Sequence, residues 1–324
     1  VADISLFLWA VAPPLLFLVF YYWHFPNSPS LPRLLLFFVA GAIFGFVALR
    51  LEWLVETQVN SFAFWRQIRS TLAGVALRQL LEVGPIEEGC KLAVVGALGC
   101  YFQRRQYRLR SSTVFLFTIA VALGFTAEEN WIYFVHDTAS VLERAITTPV
   151  HAMFSAPWGY ALALSLPRYH PRVAKAWLNS VICHALVNIL SSAWRYPQPL
   201  SFLSYGLFPF LLWMFWRLEQ LLRKVQRIPP ITLISGYTPQ HRFWQRGLVM
   251  FALILGGNAI FGLFLLLRSL SSVTQAQLFE PNILWFIFSR LLLNLSFGLI
   301  AWKIYHYLRT QVRSKRFSAC IFKD

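Results

Sequence analysis

Two adjacent glutamates, Glu87 and Glu88, followed by Lys91, are the side chains of this sequence best suited to chemistry. They stand at the start of an apolar run, Gly84-Pro85-Ile86-Glu87-Glu88-Gly89-Cys90-Lys91-Leu92. One charged side chain near the centre of a bilayer costs about 2.5–3.5 kcal/mol, so such residues pair, face a wet cavity or react. Spacings of three and four let either glutamate meet Lys91 on one helix face. Three more polar groups interrupt apolar runs: Glu129-Asn130 after Phe125, His151 with Ser155, and His184 with Asn188. The last two pairs are also four apart, so each projects to one side of a helix. Neighbouring carboxylates in a low-dielectric site titrate as a unit, which suits a general base beside a proton-holding acid. Histidine and asparagine are suitable donors to an oxyanion. The set is a plausible apparatus for activating water against an amide.

The elements that must position these groups are membrane helices. The chain of 324 residues is 57% hydrophobic and only 13% charged, and its mean hydropathy is +0.55. A soluble domain carries about 25% charged residues, so the expected fold is all-α, a polytopic transmembrane bundle of eight to nine spans. The spans are read at 4–23, 34–50, 86–102, 113–134, 149–166, 176–195, 200–216, 247–267 and 283–307, the first two being the weakest. The mixed segment 51–83 reads as an interfacial amphipathic stretch, with a short extra span at 71–83 as its competitor. The opening Val1-Ala2-Asp3 has no basic n-region and the run after it holds Pro13-Pro14, so a retained first span is expected rather than a cleaved signal.

The net charge of +16 resides in loops rather than in a nucleic-acid face, and no nucleic-acid partner is expected. Arg104, Arg105, Arg108 and Arg110 form one basic loop, and Arg168, Arg172 and Lys175 another. Arg217, Arg223, Lys224, Arg227, Arg242 and Arg246 lie in a linker at 217–246, and Arg309, Arg313, Lys315, Arg316 and Lys323 in the tail. The segments 135–148, 196–199 and 268–282 are nearly neutral. By the positive-inside rule the basic loops and C-terminus are cytoplasmic, and nine spans put the N-terminus outside. Glu87 and Glu88 then lie at the outer end of their helix, and Glu129 lies about 24 Å from the cytoplasmic end of its own. All four polar helices place these groups in one leaflet, which argues for a shared site opening to the outer side. Cys90, Cys100, Cys183 and Cys320 show no disulfide framework and read as small buried hydrophobes.

Plainer readings accompany each group. Glu87 and Glu88, after Pro85, suit a helix N-terminus and its dipole. Glu128 reads as a boundary residue, and His151 could be an interfacial one. His184 and Asn188 could form an interhelical hydrogen bond without chemistry. Ser155 reads as structural, because no Gly-x-Ser-x-Gly is present. The Trp and Phe residues read as belt and packing.

In order, Glu87-Glu88-x-x-Lys91, Phe125-x-x-x-Glu129-Asn130, His151-x-x-Phe154-Ser155 and His184-x-x-x-Asn188 resemble the PrsW family of intramembrane proteases, related to the CAAX prenyl endopeptidases. The resemblance covers about residues 80–190. The CAAX branch is less similar: its first motif ends in Arg one position later, and its second carries His where this chain has Glu129. The resemblance implies cleavage of single-pass membrane proteins, such as anti-sigma factors, near the outer face of the bacterial inner membrane. With the spacings it implies a catalytic set. Glu87 or Glu88 is the general base, Lys91 tunes the pair, and Glu129 positions water or His184. His151, His184 and Asn188 stabilise the oxyanion, and Asn130 orients Glu129. It divides the chain into N-terminal helices (1–70), a catalytic helical core (71–195) and C-terminal helices with a basic linker and tail (196–324). No cofactor is expected. Zinc is the alternative, with Glu88, Glu129, His151 and His184 as ligands, although no His-Glu-x-x-His is present. An ion-coupled transporter is the non-enzyme alternative, since intramembrane carboxylates also relay protons. The expected partners are a single-pass protein substrate and the lipid bilayer.

Overall fold

The computed structural model describes residues 2–25, 28–107, 109–165, 171–236, 238–270, 273–274 and 277–321. Arg108, Arg168 and Lys323 of the expected basic loops lie outside this set, and so do the side chains of Arg313, Lys315, Arg316 and Cys320. The described residues form helices and connecting turns, with no strand among them. The helices are α1 (Ala2–His24), α2 (Leu31–Val59), α3 (Ala63–Ile68), α4 (Leu72–Arg78), α5 (Gly84–Arg104), α6 (Ser111–Val135), α7 (Val141–Thr147), α8 (Val150–Ser165), α9 (Pro171–Ser192), α10 (Leu207–Val225), α11 (Pro239–Leu270) and α12 (Pro281–Ile321).

Six of these helices, α1, α2, α6, α9, α11 and α12, contain stretches long and apolar enough to cross a membrane. The chain is therefore an integral, multi-pass membrane protein. Helices α5, α8 and α10 coincide wholly or in part with the other expected spans without meeting that criterion. Helix α10 is displaced from its expected place. Leu200–Gly206 winds as a 3-10 turn, and the helix runs on to Val225, drawing Arg217, Arg223 and Lys224 out of the expected linker.

The segment 51–83 departs most from expectation. Helix α2 absorbs its first part, running to Val59. After α3 the chain is helical from Leu72, through a π turn at Gln79–Val83, into α5 without a break. The physical reason is visible at Pro85. Its nitrogen carries no hydrogen and cannot bond a carbonyl four residues back, and the Gly84 N–H reaches Gln79 O in the wider π pattern instead. Glu87 and Glu88 consequently sit about 22 Å into a continuous helical run. They are not at a helix start, so the dipole of a free N-terminus does not account for them.

The residues divide into two compact units, 1–200 with 217–229, and 201–216 with 230–324. The first holds all four motif helices. At its centre is α6, whose apolar stretch is 83% buried, packed against α1, α2, α5 and α8. The approach of α2 and α6 depends on glycine: a Cβ on Gly124 would overlap the Phe38 carbonyl oxygen, and one on Gly41 the Val121 backbone. Small residues at such a seam allow the backbones close van der Waals contact, the main attraction available where lipid competes for apolar surface. The Phe37 and Phe117 rings stack across the same seam at 3.8 Å between centroids. In the second unit α11 packs along α12, with Gly257 against Pro209 at the start of α10. Cys90 and Cys183 are buried free thiols, whereas Cys100 is exposed on α5.

Candidate functional site

Helices α5, α6, α8 and α9 bring six of the eight expected residues into one polar cluster. Lys91 is at its centre, with no exposed surface. Its Nζ donates to Glu88 Oε1 at 2.8 Å and to Glu87 Oε2 at 3.1 Å, and it lies 3.0 Å from His151 Nδ1. The Phe125 ring lies 4.2 Å beneath it, a cation–π contact that offsets part of the desolvation. Because the ammonium can only donate, His151 Nδ1 is the acceptor, and the ring's proton is on Nε2. That Nε2 donates to Glu129 Oε2 at 2.7 Å.

The two glutamates occupy different environments. Glu88 has no exposed surface. Its Oε1 meets Lys91, and its Oε2 accepts from Ser155 Oγ at 2.9 Å and Trp158 Nε1 at 2.8 Å. Glu87 gives only Oε2 to Lys91. Its Oε1 is 3.9 Å from His184 Nε2, and the residue lines a cavity of about 250 Å³ that Glu88 does not reach. His184 presents its other nitrogen, Nδ1, to Glu88 Oε1 at 3.6 Å and stacks on Phe154 at 4.3 Å.

The two asparagines lie at the edges. Asn188 Nδ2 donates to Gln79 Oε1 in the π turn at 2.8 Å, and both residues line the cavity with Glu87 and Glu129. Asn130 is buried, its Nδ2 donating to Ala10 O at 3.2 Å and its Oδ1 accepting from Arg144 Nε at 2.7 Å. Arg144 also donates from Nη2 to Glu129 Oε2 at 2.6 Å. Thus Asn130 and Glu129 are joined through one guanidinium.

Arg144 was not among the residues singled out by spacing. It belongs to the short α7, which a capping box of Ser140 and Glu143 starts. The signal was present: Ser140-x-x-Glu143 in a nearly neutral segment marks a helix start, and Arg144 is the residue that follows. Also missed were Trp158 and Gln79, whose types carry no motif. Glu128 is no boundary residue. It is 6% exposed and lines the cavity. It fits because Gly45 of α2 leaves room, since a Cβ there would collide with Glu128 Oε2.

Acidic residues concentrate here. Of the 13 in the chain, Glu52, Glu56, Glu82, Glu87, Glu88, Glu128 and Glu129 either line the cavity or pair with residues beside it. Arg78 pairs with Glu56 at 2.9 Å and with Glu82 at 3.6 Å, Lys91 with Glu87 and Glu88, and Arg144 with Glu129.

A zinc site needs about four N, O or S donors converging at ~2.0–2.3 Å. Here the point where Glu87, Glu88 and His151 converge is taken by the Lys91 ammonium. His184 turns opposite ring nitrogens to the two glutamates, so one ion cannot join all three through it. Among the described residues no three of His, Cys, Asp and Glu are placed to hold one ion. The expected ligand set does not fit zinc in this arrangement.

No curated protein and no solved structure matches the chain. A family model, that of the PrsW family intramembrane metalloproteases, matches residues 29–214. The match covers over half of the sequence and all the residues of the cluster. The chain belongs to the PrsW family and is a membrane-embedded protease.

Proposed function

We propose that the protein hydrolyses peptide bonds of single-pass membrane proteins, of the anti-sigma-factor kind, with water activated by Glu87 and without a metal. One observation carries the choice of base. Glu87 lines the cavity and gives only one oxygen to Lys91, whereas both oxygens of Glu88 are held by Lys91, Ser155 and Trp158. A base must come within about 3 Å of the proton it takes, and a substrate carbonyl in the cavity can be approached from Glu87 alone of the pair.

In this reading Glu87 takes a proton from water as the oxygen attacks the carbonyl carbon. His184 Nε2 and the Asn188 amide donate to the resulting oxyanion. Glu87 then passes its proton to the leaving nitrogen as the C–N bond breaks. Lys91 fixes one Glu87 oxygen, Oε2. His151, with both nitrogens engaged by Lys91 and Glu129, positions Lys91. The site lies toward the outer face of the bacterial inner membrane, with the basic loops and C-terminus cytoplasmic.

Cleavage of a single-pass substrate in liposomes tests the reading. Activity is expected to persist after exhaustive chelation. Activity lost to the chelator and restored by zinc would overturn the metal-free mechanism, and an intact substrate under all conditions would overturn the proposed substrate class.

The Arg144 fork supports a second test. Arg144→Met frees Glu129 and Asn130 of their shared donor, and a displacement of ~1 Å in a positioned group costs up to about 100-fold. A fall in kcat of about 10- to 100-fold with little change in KM is expected, and Arg144→Lys recovers only part because it lacks the planar fork. A raised KM with unchanged kcat would assign Arg144 to substrate binding instead.

A further inference from the structure

After the ion pairs at the cavity are assigned, two carboxylates are left over. Arg78, Lys91 and Arg144 each have acidic partners already. Glu52 of α2 and Glu128 of α6 form no hydrogen bond or salt bridge among the described residues, yet both line the cavity. Glu128 is more than nine-tenths buried, and its Oε1 is without a partner. Burying an unpaired carboxylate is costly, and a positive group that reaches it restores the lost interaction. This surplus of carboxyl groups stands in a chain whose net charge is +16, so it is a local property of the site.

We propose that this cavity holds a specificity subsite for a basic side chain of the substrate, lysine or arginine, bound by Glu52 and Glu128. The inference rests on the protease reading and extends it to substrate choice. The volume of about 250 Å³ is below that of pockets for drug-sized ligands, about 300–1,000 Å³, and suits one extended side chain. A bare metal ion fits less well, because among the described residues no three acidic or imidazole groups converge on a point. A long side chain with several N–H donors can reach separate carboxylates. Glu87 and Glu129 line the same cavity, so a residue seated there lies close to the bond that Glu87 attacks. Gly45 is part of the subsite because it allows the Glu128 carboxylate its position against α2.

The test separates binding from cleavage. The full-length Glu87→Gln variant is reconstituted in liposomes with synthetic single-pass peptides carrying a photo-crosslinker. Each juxtamembrane position of the peptide is in turn Lys, Gln or Glu. At one position Lys is expected to raise crosslinking about tenfold or more over Gln, with Glu lowest. In Glu52→Gln/Glu128→Gln the ratio is expected to fall to about one. Equal capture of Lys and Gln peptides overturns the proposal, and so does a preference that survives the double substitution. Because the first comparison varies only the peptide, it does not depend on how the double variant folds. Cleavage by the wild-type chain without any Lys preference would refute the subsite and leave the protease reading standing. Lys-selective capture without wild-type cleavage would do the reverse. Failure to capture any peptide would overturn both.

Discussion

Glu87→Gln is expected to lower cleavage by about a thousandfold, within the 10²–10⁴ range of general base catalysis, while the protein unfolds near the wild-type temperature. The asymmetry between the two glutamates is the reason. Glu87 gives one oxygen to Lys91 and lines the cavity, so the amide removes a base but few structural contacts. Glu88→Gln is expected to act differently. A neutral amide cannot serve Lys91, Ser155 and Trp158 as the carboxylate does. Leaving buried groups unsatisfied costs about 1–3 kcal/mol, so this variant is expected to melt earlier. Paired measurements of rate and thermal unfolding in one detergent decide the matter. If Glu87→Gln cleaves at the wild-type rate, or if Glu88→Gln alone loses activity with its stability intact, the assignment of the base is wrong.

Lys91→Met carries the largest expected loss of stability. The ammonium is fully buried and is shared by two carboxylates and an imidazole. Removing one partner from a buried ion pair costs about 3–5 kcal/mol, because a charge is left without compensation. Methionine retains much of the aliphatic stem, so packing against Phe125 changes little and the effect reports charge. Activity is expected to fall with it, since Glu87 loses the contact that fixes its second oxygen. Lys91→Arg is the informative companion. The charge is kept, but a planar fork replaces a compact ammonium in a site with no spare surface, so partial stability with poor activity is expected. A Lys91→Met protein as stable as wild type would show that the Lys91 contacts to Glu87, Glu88 and His151 contribute little to stability.

Apolar run lengths and the motif residues by themselves determined the helical membrane character, the four polar helices and the family. That much is local: apolar run length sets a span, and spacings of three and four set a face. The Glu87–Lys91 and Glu88–Lys91 contacts are of this kind, and both form. What the sequence could not decide was everything set by neighbours distant in the chain. Which glutamate faces the cavity depends on Trp158 and Ser155, about 70 residues away, enclosing Glu88. His151 bridges Lys91 and Glu129 only because α8 packs on α6 and α5. Arg144 is an unremarkable loop arginine until α7 lays it on Glu129 and Asn130. Glu128 reads as a boundary residue because its burial depends on the absence of a side chain at Gly45, on another helix. Periodicity records which face of a helix a residue occupies. Only the packing of α2, α5, α6, α8 and α9 decides what that face meets, and in this protein that meeting separates a fully held carboxylate, Glu88, from one that lines the cavity, Glu87.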